Sequence, residues 1–160
     1  MRYFTIITES DQETIRYGQA LAPFLKGGDV VGLVGELGSG KTWFTKGIAL
    51  GLGVSPGTVV TSPTFVIVNV YEARLPLFHV DIYRLQSLGE FYSAGLDEYL
   101  YGKGIAVMEW ADRWPEILPV ETLKVEFVIP DDHRREITFV GHHPRSIEIV
   151  ESFREKMDRG

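Results

Sequence analysis

With 160 residues, 44% of them hydrophobic and 24% charged, the chain has the length and composition of one folded domain with a single core, which excludes global disorder. Its 16 basic side chains stand against 22 acidic ones, a net charge of −6. No cationic surplus exists for a broad phosphate-binding face, so tight direct nucleic-acid binding is disfavoured and a protein partner fits better.

Cysteine is absent, which excludes disulfides, thiolate zinc sites and thiol nucleophiles and is compatible with a cytoplasmic protein. The amino terminus lacks the charged and apolar regions of a secretory signal, and no run reaches the roughly 18 apolar residues of a membrane span. In chain order, Tyr3 to Thr8 reads as a first strand. Ser10-x-x-Glu13 is a capping box for an amphipathic helix carrying Ile15, Ala20, Leu21 and Leu25, predicted to run to Gly27-Gly28. Asp29 to Val34 is a β-branched run suited to a buried parallel strand, and Thr42 to Leu52 is helix-compatible with Gly53 as its cap.

Between that strand and that helix stand Gly35-Glu36-Leu37-Gly38-Ser39-Gly40-Lys41-Thr42, the pattern G-x-x-x-x-G-K-T. Strand, glycine loop and helix together make this a P-loop that binds a nucleoside triphosphate. The glycines let the backbone turn tightly and aim successive N–H groups inward, and the helix N-terminus adds its positive dipole end. Glu36, Leu37, Gly38, Ser39, Gly40, Lys41 and Thr42 are the predicted binding set, with Lys41 on the β- and γ-phosphates and the Thr42 hydroxyl on Mg²⁺. A plain glycine-rich turn explains the glycines but not the Lys-Thr pair.

Thr58 to Thr64 is a polar, proline-marked connection. Within it, Thr61-Ser62-Pro63-Thr64 sits where switch loops place a hydroxyl on metal or near the γ-phosphate; spacing alone fits a rigid turn with capping hydroxyls equally well. Phe65 to Tyr71 and Leu75 to Ile82 read as an antiparallel pair. Ser87 to Leu100 reads as a short helix and a further turn interrupted by Gly95, and Gly104 to Glu109 as a central parallel strand. Leu123 to Ile129 and Glu136 to Val140 flank a turn, forming a C-terminal hairpin within 119–145. Residues 146–158 form a terminal helix, with Ile147, Val150, Phe153 and Met157 on one side. The fold class is α/β: residues 1–160 as a single P-loop NTPase domain, with a mixed, largely central sheet flanked by helices.

A nucleotide-hydrolysing P-loop protein needs a strand-end carboxylate for Mg²⁺ and its waters. Asp81 and Glu109 both close apolar strands and compete for that role. Trp110 is a core aromatic or a wall of the pocket, and on its own the core is favoured. His79 reads as a structural strand residue, and His142-His143 before Pro144 as a surface turn rather than a metal site. The guanine-reading N-K-x-D pattern is absent, and the D-x-x-G at Asp29 to Gly32 precedes the P-loop, the wrong place for a GTPase switch.

The P-loop, Thr61-Ser62-Pro63-Thr64-Phe65, His79-Val80-Asp81-Ile82-Tyr83-Arg84-Leu85, Gly95-Leu96-Asp97-Glu98-Tyr99 and Glu109-Trp110 occur in that order. From the first helix to Pro119 the chain resembles the bacterial TsaE (formerly YjeE) family, small ATPases of the tRNA threonylcarbamoyladenosine pathway. The resemblance implies slow, Mg²⁺-dependent ATP hydrolysis in support of the TsaB–TsaD heterodimer. TsaD transfers the threonylcarbamoyl group, so this chain would meet tRNA only through the complex, with no membrane involved. It further implies Lys41 and Thr42 on phosphate and metal, Glu109 on the metal, Asp81 in hydrolysis, Thr64 in the switch-like loop and Trp110 beside the nucleotide. Adenine contacts are implied at the start of the first helix, between Asp11 and Thr14, with Arg134 or Arg135 from the hairpin. Two other readings are a small-molecule kinase with an acceptor site in Ser87 to Tyr101, and a nucleotide-gated binding module with negligible hydrolysis.

Overall fold

Runs that are apolar on both faces belong in the middle of a sheet, where helices cover each side. The computed structural model describes residues 1–61 and 68–160. Its strands are β1 (Arg2–Thr8), β2 (Val30–Val34), β3 (Val68–Tyr71), β4 (Leu77–Asp81), β5 (Ile105–Glu109), β6 (Leu123–Asp131) and β7 (Arg134–Gly141). They form one sheet in the order β1-β7-β6-β2-β5-β4-β3. The most apolar strands, β2 and β5, are parallel neighbours at its centre. β4 joins β5 in parallel and β6 joins β2 in parallel, while β1, β7 and β3 are added antiparallel. The C-terminal ends of β4, β5, β2 and β6 therefore share one edge of the sheet.

The helices are α1 (Asp11–Leu21), α2 (Lys41–Gly51), α3 (Leu88–Ser93), α4 (Asp97–Leu100) and α5 (Pro144–Asp158). Strand alternation divides the core in two. On one face Val31, Leu33, Val107 and Val125 pack with Leu21, Phe44, Ile48 and Phe153 from α1, α2 and α5. On the other, Val30, Val80, Ala106 and Met108 pack with Phe91, Leu96 and Leu100 from α3, α4 and the turn between them. None of the described helices is long and apolar enough to cross a membrane.

Local expectations hold with specific adjustments. Ser10 caps α1 by accepting from Glu13 N–H at 3.1 Å, but the Glu13 carboxylate accepts from Glu9 N–H rather than from Ser10. The first helix stops at Leu21 instead of reaching Gly27-Gly28. Pro23, with no N–H to give, diverts it into a 3-10 turn over Ala22–Phe24, after which Leu25 is extended. The C-terminal hairpin is not an appendage, because its first strand lies beside β2 within the sheet. α5 buries Ser146, Ile149, Val150 and Phe153, so Ile149 takes the core position expected for Ile147. Its first turn lies against Gly141, where an added Cβ would meet Ser146 backbone at 2.6 Å. That contact sets the helix phase. Of the strand expected from Phe65, Phe65 to Ile67 lie outside the described residues.

α1 and α2 meet backbone to backbone. A Cβ on Gly47 would lie 2.0 Å from the Ile15 carbonyl oxygen, and one on Gly18 would lie 2.3 Å from that of Phe44. Since α2 begins inside the P-loop, this glycine seam sets how the loop sits on the sheet. Gly47→Ala is expected to destabilise the fold by about 3 kcal/mol, because backbone on both sides cannot yield, while Gly57→Ala, whose new Cβ would meet only the Ser55 hydroxyl at 4.0 Å, changes little. Urea unfolding midpoints check this; equal midpoints for the two variants would mean the helices part without cost.

Candidate functional site

The P-loop leaves the C-terminal end of β2 and closes into α2. Gly38 and Gly40 have φ of 77° and 105°, conformations a side chain resists. A Cβ on Gly35 would meet Ser39 Oγ at 2.7 Å and Phe127 Cβ at 2.9 Å, so the loop is pressed against β6. Ser39 N–H donates to the Glu36 carbonyl at 3.1 Å, and buried Ser39 Oγ has no partner among the described residues. Lys41 is 5% exposed. Its Nζ donates to the carbonyls of Gly35 and Glu36 and lies 3.9 Å from the centroid of the Trp110 ring. Burial pushes the Lys41 ammonium below the ordinary lysine range, against the pull of Glu109, Asp81 and Asp112. A cation withdrawn from water beside neutral carbonyls and the opening turn of a helix is set up to receive an anion.

The two strand-end acids come together. Asp81 and Glu109 are direct partners across the parallel β4–β5 pair, and Glu109 is in turn the partner of Leu33 on β2. Glu109 Oε2 lies 3.3 Å from Thr42 Oγ1 and 2.5 Å from Nε2 of His79, which is wholly buried. Asp81 is half-buried and accepts from Tyr83 N–H at 2.9 Å. Burial raises its pKa above the usual carboxylate range, as does Glu109, while the Tyr83 amide, His79 and Lys41 oppose this. Hydroxyl and carboxylate oxygens with room for phosphate and water suit Mg²⁺, which seldom takes an all-protein cage. Thr42 and Glu109 fit it.

Trp110 has a φ of 64°, rare for a bulky residue. The turn it makes after β5 brings its ring over Lys41 and 4.7 Å from the ring of Tyr83. The core position favoured for Trp110 alone is thereby corrected: one side packs on the core and a face walls the cleft. The cleft, about 660 Å³, is lined by residues 37–43 together with Val60, Thr61, Asp81, Tyr83, Arg84, Glu109 and Trp110. Glu36 gives its backbone to the loop and leaves its side chain exposed. Thr64 lies outside the described residues, although Thr61 of the same connection reaches the lining.

Among the adenine candidates, Thr14 is buried against Thr8, with its methyl 3.6 Å from where a Gly40 Cβ would lie, and Arg135 Nη2 donates to the Gly38 carbonyl at 3.4 Å. Asp11 is exposed at the start of α1, and Arg134 pairs with Asp131 at the hairpin tip. His142 and His143 are exposed, and His143 caps α5. Sequence reasoning gave no role to Tyr83, Arg84 or Trp43, and made His79 merely structural. The usable signal for His79 was strand alternation, which puts it on the same face as Asp81 two residues later.

The chain resembles known proteins over most of its length. The family model described as TsaE, threonylcarbamoyl adenosine biosynthesis protein TsaE, matches residues 8–137, continuing past Pro119 through β6 into β7. The chain is 44% identical over 132 residues to the tRNA threonylcarbamoyladenosine biosynthesis protein TsaE of Treponema pallidum (strain Nichols), covering 82% of this chain and 96% of the relative. It is 45% identical over 135 residues to the protein of the same name from Bacillus subtilis (strain 168), covering 84% and 83%. The crystal structure of Bacillus subtilis YdiB superposes with a TM-score of 0.83 at 37% identity, covering 97% of this chain and 96% of that one. The chain therefore belongs to the TsaE family.

Proposed function

We propose that this protein is an Mg²⁺-dependent ATPase of slow turnover that acts in the cytoplasm in the formation of threonylcarbamoyladenosine in tRNA, through a complex with TsaB and TsaD. The observation that carries the reading is the Lys41 ammonium, buried against the loop's own carbonyls at the mouth of α2. Incoming β- and γ-phosphates offer it a charged partner in place of neutral ones, and the amides of the loop and first turn of α2 complete the cradle.

Bound Mg²⁺ would neutralise phosphate charge and draw off electron density at the γ-phosphoryl group. Thr42 and Glu109 would hold it. Asp81, facing Glu109 and partly withdrawn from water, orients the attacking water and takes up its proton. Trp110 and Tyr83 form an apolar wall that limits water beside the phosphates. With 22 acidic against 16 basic side chains, the surface suits a protein partner, with tRNA reached through the complex. The segment offered as a kinase acceptor site instead buries Phe91, Leu96 and Leu100 in the core. Among the described residues it lines no part of the cleft, so hydrolysis is preferred to phosphoryl transfer onto a metabolite. Phosphate release by the purified protein, alone and with its partners, tests the whole reading; tRNA modification that proceeds equally well without ATP would defeat it.

Glu109→Ala is expected to lower affinity for ATP in Mg²⁺ while leaving affinity in chelator near wild type, as calorimetry in the two buffers would record. Equal losses would give Glu109 another role.

Asp81→Asn should cut turnover by about a hundredfold and also raise the melting temperature of the nucleotide-free protein near neutral pH. The sign follows from the native carboxyl being harder to ionise than the unfolded one. Its contribution to stability is full below the unfolded pKa and is lost as pH rises through the raised native value. The gain from asparagine should therefore be present at about pH 7 and shrink toward about pH 4. A pH series of thermal melts decides it, and a gain that grew in acid would contradict the assignment.

A further inference from the structure

His79 sits where an aliphatic residue would pack better. Its register partners across the sheet are Val107, then Val31, then Leu123, all buried on the face that α2 covers. Its Nε2 lies 2.5 Å from Glu109 Oε2, and its buried Nδ1 has no hydrogen-bond partner among the described residues. That pairing determines the tautomer. A proton on Nδ1 would orphan a buried donor and turn the Nε2 lone pair against a carboxylate oxygen. A proton on Nε2 leaves only a bare acceptor at Nδ1, the cheaper omission. The ring thus donates through Nε2–H.

We propose that His79 is a positioning residue for the metal-binding pair: through Nε2–H it locks Glu109 by Oε2, and with it the Thr42 hydroxyl that donates to the same oxygen. This rests on the reading of Thr42 and Glu109 as the Mg²⁺ ligands. A glutamate carboxylate swivels readily about its last bond. Two donors converging on Oε2, one from a strand and one from the first turn of α2, fix that rotation. A Thr42 hydroxyl that spends its proton on Glu109 directs its lone pairs to a cation. The imidazole therefore sets the orientation of both metal ligands from a position beneath the cleft floor, without touching nucleotide.

The test measures binding of a fluorescent, non-hydrolysable ATP analogue in Mg²⁺ and in chelator, for wild type, His79→Leu, His79→Gln and His79→Asn, each also on a Glu109→Ala background. Thermal melts confirm folding. The expected result is that His79→Leu lowers the Mg²⁺-dependent gain in affinity by about tenfold and leaves the chelator value within about twofold. His79→Gln, whose longer amide still reaches Glu109, should recover most of the gain, and His79→Asn should not. On Glu109→Ala, none of the three should change the gain. If His79→Leu does not fold, the glutamine–asparagine contrast alone decides. An undiminished gain in His79→Leu, or equal values for glutamine and asparagine, overturns the positioning role while leaving the nucleotide site standing. A wild type with no Mg²⁺-dependent gain overturns both.

Discussion

The parallel register of β4, β5 and β2 is the constraint on which everything else rests. It places Asp81 beside Glu109 and Glu109 beside Leu33 at the edge where the P-loop departs. Strand side chains alternate between faces, so a slip of β4 by one residue would carry Asp81 and His79 to the far face and bring Val80 and Ile82 to the cleft. The buried apolar pattern forbids that slip, since Val80 and Ile82 are core residues against α3 and α4. Hydrophobic packing on one face thus enforces the polar geometry on the other. The site costs little extra specification because the core already supplies it.

A second layer of organisation comes from α2. The helix is drawn against α1 along a glycine seam, and its first turn carries Lys41 and Thr42 over the strand ends. Lys41 then finds partners in the loop carbonyls and the Trp110 ring, and Thr42 in Glu109. The polar groups gathered there include several that destabilise the fold as it stands: an ammonium and a carboxyl both partly withdrawn from water, a buried serine hydroxyl with no partner among the described residues, and a tryptophan at positive φ. Such a concentration of unfavourable local choices marks a place shaped for a ligand rather than for the fold alone.

What was legible in the sequence was local. The glycine loop, the strand before it and the helix after it are contiguous, and strand-end carboxylates reveal themselves by following apolar runs. The course of α1 past Leu21 misled because hydrophobic spacing continued through Pro23 while the backbone could not. The phase of α5 follows the close backbone approach of Ser146 to Gly141, which puts Ile149 rather than Ile147 beside Val150 in the core. β6 beside β2 is a pairing across some ninety positions of chain, invisible to hairpin signals that report only its neighbour β7. The partner of His79 was hidden for the same reason: nothing in a five-residue strand discloses which side chain waits on the adjacent one. Trp110 was half-read, because its ring does pack on the core, and only its positive φ turns a face toward Lys41.

That arrangement of Trp110 makes the molecule its own optical gauge. Of three tryptophans, Trp43 and Trp110 line the cleft, whereas Trp114 lies beneath the guanidinium of Arg113. An indole excited beside an ammonium emits differently once that ammonium turns to another partner. Occupancy of the cleft is therefore written into the protein's native emission, and can be followed in real time with no attached dye.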